Sequence, residues 1–216
     1  MTTNITANPI EPGDDELERL ALEECIRRQR VDRQINILVL PSGQCELAFK
    51  FARLGADVTV ADNPALAKST QGRILAAGLT DRVTFQANQL PSLPPSDDDH
   101  LYDLVVLRRG LCSLHYSVAR QLIRDLQKKM RIGGRLYISI LGLHSELGEG
   151  YPGREQSVYE RLAPLSPLMA KKYDIDHPVC LYSERDLFLL LLEAGASVLR
   201  TSTSTYGNVK AVAGRV

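Results

Sequence analysis

The chain has 216 residues, 44% hydrophobic and 24% charged, with 26 basic and 26 acidic side chains and a pI near 6.9. At this length roughly 70% of the unfolded chain's surface is buried on folding, so the core needs neither disulfides nor a structural metal. Collagen-like, disordered, disulfide-scaffold and membrane-spanning classes are excluded: no apolar run approaches the roughly 20 residues that cross a bilayer.

The first 20 residues lack a basic stretch followed by an apolar one, so no secretory leader is read and a cytoplasmic location is expected. Zero net charge argues against a large nucleic-acid footprint. Cys25, Cys45, Cys112 and Cys180 are widely spaced, with no CxxC and no His at ligand spacing, and are read as reduced thiols without a metal. His100, His115, His144 and His177 are equally scattered.

Residues 1–13 read as a flexible lead-in, and residues 14–33 as an N-terminal helix. In that helix Asp15 and Glu18 resemble a capping box, while Leu17, Ala21 and Cys25 recur at i+4 spacing. The nearly continuous apolar run Ile35–Leu40 predicts a strand covered on both faces. A helix follows through Leu47, Phe51 and Leu54 and ends at Gly55. Asp57–Ala61 is the second strand, a helix from Pro64 to Ala77 follows, and Arg82–Gln86 is the third strand. Pro91, Pro94 and Pro95 with the acidic residues after them make a surface connection.

Leu101–Leu107 is a fourth buried strand, and a helix carrying Leu122, Ile123 and Leu126 follows it. Gly133-Gly134 is expected to break that helix before a fifth strand at Arg135–Leu141. Residues 143–182, rich in Gly, Pro and Tyr, read as a lid or substrate insertion. Ser183 caps a helix whose interior, Leu187–Leu192, is apolar all round and expected to be buried. Ala196–Ser202 and Val209–Ala213 then close an antiparallel hairpin through Tyr206-Gly207-Asn208. The fold class is therefore α/β: a Rossmann-like, mostly parallel, seven-stranded sheet with helices on both faces and a C-terminal antiparallel hairpin. Residues 34–142 form its nucleotide-binding core, and residues 183–216 complete the same domain.

In such a sheet ligands bind beyond the carboxyl ends of the strands, where strand order reverses. That points to Pro41-Ser42-Gly43-Gln44-Cys45 after the first strand, and to Asp62 at the end of the second, a carboxylate suited to a ribose diol. The segments Gly43–Gly55, Val58–Asp62, Val83–Leu90, Tyr102–Val106 and Ile132–Leu136, with the terminal hairpin, resemble the class I S-adenosylmethionine (SAM)-dependent methyltransferases over residues 35–213. The resemblance implies SAM as cofactor and a small molecule as methyl acceptor.

The resemblance also implies that Asp62 and its neighbour Asn63 meet the ribose, Asn88 and Gln89 the adenine, and Pro41 through Cys45 the methionine portion. Arg108 and Arg109 follow the fourth strand beside the methyl group, Arg108 toward the cofactor and Arg109 toward the substrate. The family's first-strand acid matches Val39 here, with Glu46 as its stand-in, and its three loop glycines match Pro41, Gly43 and Cys45. Methyl transfer asks mainly for alignment, with a base only when the acceptor carries a proton. His115 and His144 are the candidate catalytic residues, and Arg109, Tyr116 and Tyr151 the substrate contacts. A methyltransferase-like scaffold that has lost its cofactor and works through protein contacts is the alternative. The N-terminal helix either covers the domain or pairs two copies into a homodimer.

Overall fold

Strand–helix alternation gives a seven-stranded sheet in the order β3-β2-β1-β4-β5-β7-β6 in the computed structural model, which describes residues 15–31, 34–94 and 101–216. The expected lead-in and the acidic end of the Pro-rich connection lie outside the described residues. The elements are α1 (Glu16–Gln29), β1 (Asn36–Leu40), α2 (Glu46–Arg53), β2 (Asp57–Asp62), α3 (Ala67–Ala76), β3 (Val83–Ala87), β4 (Tyr102–Arg108), α4 (Tyr116–Lys128), β5 (Met130–Ile140), α5 (Pro167–Tyr173), α6 (Glu184–Glu193), β6 (Ser197–Thr203) and β7 (Val209–Gly214). The pairs among β1 to β5 are parallel, while β7 runs antiparallel to both β5 and β6. No described helix is long and apolar enough to cross a membrane.

Alternating side chains of β1 and β4 feed two separate cores, which is why Ile37–Leu40 and Leu104–Leu107 are apolar without a break. Ile37, Val39, Leu104 and Val106 pack with Leu17, Ala21, Leu47 and Phe51 beneath α1 and α2. Leu38, Leu40, Val105 and Leu107 pack with Leu122, Ile123, Leu187 and Leu190 beneath α4 and α6. Strand order reverses between β1 and β4, so their carboxyl ends border the crevice expected from sequence.

Three local expectations need correction. Gly133-Gly134 does not end an element: β5 already begins at Met130, and residues 131–134 bulge between the Tyr102–Met130 and Leu104–Arg135 pairs. Gly133 sits at φ +79°, and a Cβ on Gly134 would press to 2.8 Å from the Arg131 carbonyl oxygen. Pro64 opens a short 3-10 turn, and α3 starts only at Ala67. In α6, Phe188 and Leu192 face outward, because the helix packs along one side only. Within residues 143–182, expected as a lid or substrate insertion, Leu147, Tyr151, Leu165, Met169 and Val179 are buried in the same core as α4 and α6.

Candidate functional site

Along the carboxyl edge, in the order β3, β2, β1, β4 and β5, the chain leaves the sheet at Asn88, Asn63, Pro41, Arg109 and Leu141. Four strand spacings of about 4.8 Å make this edge about 19 Å wide, the length of an extended nucleotide-sized ligand. Asp62, the last residue of β2, joins three of these exits. Its Oδ2 accepts from the Ser42 backbone N–H at 2.9 Å and from the Ser42 hydroxyl at 2.6 Å. Its Oδ1 accepts from the Asn63 N–H at 2.8 Å, and its carbonyl from the Asn88 N–H at 2.7 Å. A carboxylate has about four acceptor positions, so Oδ1 keeps one for a further donor.

The β1–α2 loop retains a glycine-like backbone even where the residue is not glycine. Gly43 has φ +52° and Cys45 has φ +64°, both left-handed. That conformation costs a side-chain-bearing residue about 1–2 kcal/mol. Arg109, directly after β4, is a second non-glycine residue in that region, so two such residues flank the switch point. A Cβ placed on Gly43 would meet nothing within 4 Å, so the turn faces open space. Cys45 occupies the N-cap of α2 and makes no side-chain cap bond, so no side chain caps that end of the helix. Burial raises the Cys45 thiol above its ordinary value, the nearby Asp62 carboxylate adds to this, and Arg73 opposes it. Arg73, from α3, also reaches the Gly43 carbonyl at 3.4 Å.

A sugar-and-sulfonium cofactor fits this donor set at its ribose end, through Asp62, and over the loop, through Gly43 and the first turn of α2. The acid of the family's first strand has no replacement on β1, where Val39 is buried against α1 and α2. Glu46 is exposed at the start of α2.

Several expected site residues stand elsewhere. Arg108 continues the β4 side that carries Leu104 and Val106, so it points to α1, where it pairs with Glu18 and lies 3.6 Å from Asp15. Its expected place beside a methyl group is therefore corrected. Asp15 caps α1 by accepting from the Glu18 N–H, and lies 3.0 Å from Lys210 Nζ. Burial raises the Asp15 carboxyl, but the Glu18 N–H, Lys210 and Arg108 outweigh it and hold it below the usual range. Glu18 does not complete a capping box, because its carboxylate turns to Arg108 and, at 3.7 Å, to Lys50.

Tyr151 is likewise a core residue, its hydroxyl lying between the Arg161 and Val179 carbonyls. Tyr116 is buried edge-on to Tyr159 and stacked with Tyr182. Both tyrosines are buried, at 1% exposure for Tyr116 and 3% for Tyr151. Asn63 uses its side chain to cap the 3-10 turn through the Ala65 N–H. Gln44 and Gln89 are exposed, Asn88 is buried, and the Arg109 N–H donates to the Ser139 carbonyl at 2.6 Å. His115 stands exposed at the N-cap of α4.

His144 borders a cavity of about 580 Å³ between the segment after β5 and the tip of the β6–β7 hairpin, with Glu146, Tyr173, Thr203 and Tyr206 on its walls. The hairpin's part in this cavity was not foreseen, nor was the Asp15–Lys210 pair. A lone lysine in the apolar run Val209–Ala213 was the available signal for the latter. All four cysteines are free and buried, and no group of metal-ligating side chains occurs among the described residues.

No family model matches the chain. Over 122 residues it is 24% identical to the ubiquinone/menaquinone biosynthesis C-methyltransferase UbiE of Zymomonas mobilis, a stretch covering 56% of this chain and 48% of that protein. The chain thus spans about half the length of the curated relative it matches. A SAM-dependent methyltransferase of Methanosarcina mazei superposes with a TM-score of 0.66 at 18% identity, over 88% of this chain and 97% of that one. The SAM-dependent methyltransferase SibL gives 0.60 at 20% identity over 92% of this chain and 55% of the other. The [4+2]-cyclase SpnF gives 0.65 at 15% identity, over 92% and 80%. At these identities the solved structures share the fold.

Proposed function

The fold being that of the class I SAM-dependent methyltransferases, we propose that this chain binds SAM along the β3-to-β4 edge and directs methyl transfer to a small molecule. One observation carries the reading: the β1–α2 loop holds left-handed geometry at both Gly43 and Cys45 while Asp62 offers an acceptor beside it. In this reading Asp62 accepts the ribose hydroxyls, the Ser42 hydroxyl turning aside to release Oδ2. Asn88 and Gln89 receive the adenine edge, and the Ser42–Cys45 backbone underlies the methionine portion. When bound, the cofactor supplies a methyl carbon already activated by its sulfonium.

The chain's own task is then to align the acceptor and exclude water. Residues 143–182, packed into the core, form a fixed wall that selects the acceptor. His144 removes the acceptor's proton where there is one, with His115 as the second candidate base. The cyclase among the fold's relatives carries a different activity on the same scaffold, so methyl transfer rests on the site and not on the fold.

Calorimetric titration with S-adenosylhomocysteine tests this directly. Native protein should bind, and Asp62→Ala should lose about 1.5–3 kcal/mol, roughly 10–150-fold in affinity, the worth of a hydrogen bond to a charged group. Ser42→Ala leaves the carboxylate in place and removes its competing hydroxyl, so affinity should hold or rise. Absence of heat with folded native protein refutes the proposal.

A further inference from the structure

We propose that the cavity between the segment after β5 and the β6–β7 hairpin tip is the acceptor pocket, and that it takes a neutral aromatic ring bearing hydroxyl groups. This rests on the methyl-transfer reading above. Position is the first argument. Ile140 at the end of β5 pairs with Val209 at the start of β7, so the hairpin tip lies at the carboxyl edge of the sheet. Only β5 separates it from the β3-to-β4 span assigned to the cofactor.

The cavity is built by close backbone packing. A Cβ on Gly142 would lie 1.7 Å from the Gly207 carbonyl oxygen, and one on Gly207 would lie 2.5 Å from Ser145 Cα. The two walls are therefore held at a fixed separation by glycines, and the open cleft of about 580 Å³ between them has room for a ligand of several rings.

Hydrogen-bond bookkeeping then specifies the ligand. A hydroxyl has one proton to donate and two lone pairs. Ser145 Oγ already donates to the Gly142 carbonyl at 2.7 Å, Thr203 Oγ1 to Glu184 at 3.0 Å, and the Tyr173 hydroxyl to Glu146. These three of the six wall hydroxyls offer only lone pairs and suit a ligand that brings donors, while those of Ser204, Thr205 and Tyr206 can donate to its oxygens. It need bring no charge, because Lys172 is paired with the Glu146 carboxylate. Glu146 stays below the usual carboxyl range through its hydrogen bonds from Lys172 and Tyr173. The ring of Tyr206, 48% exposed, supplies a face for an aromatic ligand, while the Tyr173 ring carries Lys172 Nζ over one face, 5.3 Å from its centroid.

A phenol satisfies every term. In the transfer its oxygen forms the new O–C bond as the S–C bond of the sulfonium breaks to a thioether, and the phenolic proton passes to the His144 imidazole and on to water.

The test uses catechol as probe and myo-inositol as a hydroxyl-rich ligand without an aromatic face, each followed by saturation-transfer NMR on the full chain without cofactor. S-adenosylhomocysteine binding is measured separately by calorimetry. Catechol should bind the native protein, inositol should not, and Tyr206→Ala and Thr203→Val should each weaken catechol at least tenfold while leaving S-adenosylhomocysteine affinity unchanged. Inositol binding as well as catechol overturns the aromatic requirement. Unaltered catechol binding in both variants, or none in native protein that binds S-adenosylhomocysteine, overturns the pocket and spares the methyl-transfer reading. Catechol binding in a protein that gives no heat with S-adenosylhomocysteine overturns the acceptor role through its premise.

Discussion

Replacing Arg161 by Met should loosen the wall formed by residues 151–163 by an amount the structure sets. The Arg161 side chain is 9% exposed, and its partner Asp186 is 14% exposed. One guanidinium nitrogen donates to Asp186 Oδ2 at 2.6 Å and to the Leu181 carbonyl at 3.0 Å, while Nε and the other reach the Gln156 carbonyl at 3.2 and 2.9 Å. Breaking a buried pair from one side costs about 3–5 kcal/mol. Asp186 keeps its bond from the Ser183 N–H at 2.8 Å, which puts the loss at the lower end, about 3 kcal/mol. In a domain of this size each kcal/mol moves Tm by about 2–4 °C, so Arg161→Met should melt about 6–12 °C lower at pH 7.

The pH dependence has a definite sign. Burial raises the Asp186 carboxyl, but the Ser183 N–H and Arg161 outweigh it and hold it below its ordinary 3.8. A depressed carboxyl stabilises the fold above its unfolded value and loses that contribution as pH falls through the folded one. The gap between native and variant should therefore be full at pH 7 and narrow below about pH 4. Thermal melts by circular dichroism across pH 3–7 measure it. Adding Asp186→Asn should restore part of the loss, by 0.5 kcal/mol or more in a double-mutant cycle. A Tm within 2 °C of native, or an additive cycle, refutes the reasoning.

Gly142→Ala should abolish soluble folded protein or lower Tm by more than 10 °C, since its methyl group would overlap the Gly207 carbonyl, whereas Gly133→Ala, with open space but positive φ, should cost only about 1–2 kcal/mol by thermal melt. Burial pushes the thiols of Cys25 and Cys180 up to about 11 and that of Cys112 up to about 12, so none of the three should react with a thiol reagent at pH 8 until the protein unfolds; mass spectrometry after brief labelling would reveal the contrary. Lys210→Met leaves Asp15 without its ammonium at a site where both side chains are 5% exposed, and about 3 kcal/mol should be lost together with hydrogen-exchange protection at the start of α1. Unchanged exchange there would show that the pair does not hold the helix.

Local pattern determined much of this protein. The apolar runs at Ile35–Leu40 and Leu101–Leu107 announce strands buried on both faces, because side chains alternate and both sides need cover. Ser183 announces a helix start, and the structure gives the full box with Asp186. The loop at Pro41–Cys45 and the acid at Asp62 were legible for the same reason: a strand followed by a tight turn and a helix fixes where the carboxyl edge must be.

Tertiary packing decided the rest. Arg108 and Arg109 are neighbours of equal charge, and only the strand's facing sends Arg108 to α1 and its carboxylates. Tyr151, rich in binding chemistry as a residue type, became a core post because two carbonyls from distant segments, at Arg161 and Val179, close on its hydroxyl. The cavity beside His144 could not be read locally, since one wall comes from residues 144–146 and the other from the hairpin beyond residue 202. Sequence periodicity reports which face of an element is buried; which far segment covers that face is settled only when the chain folds on itself.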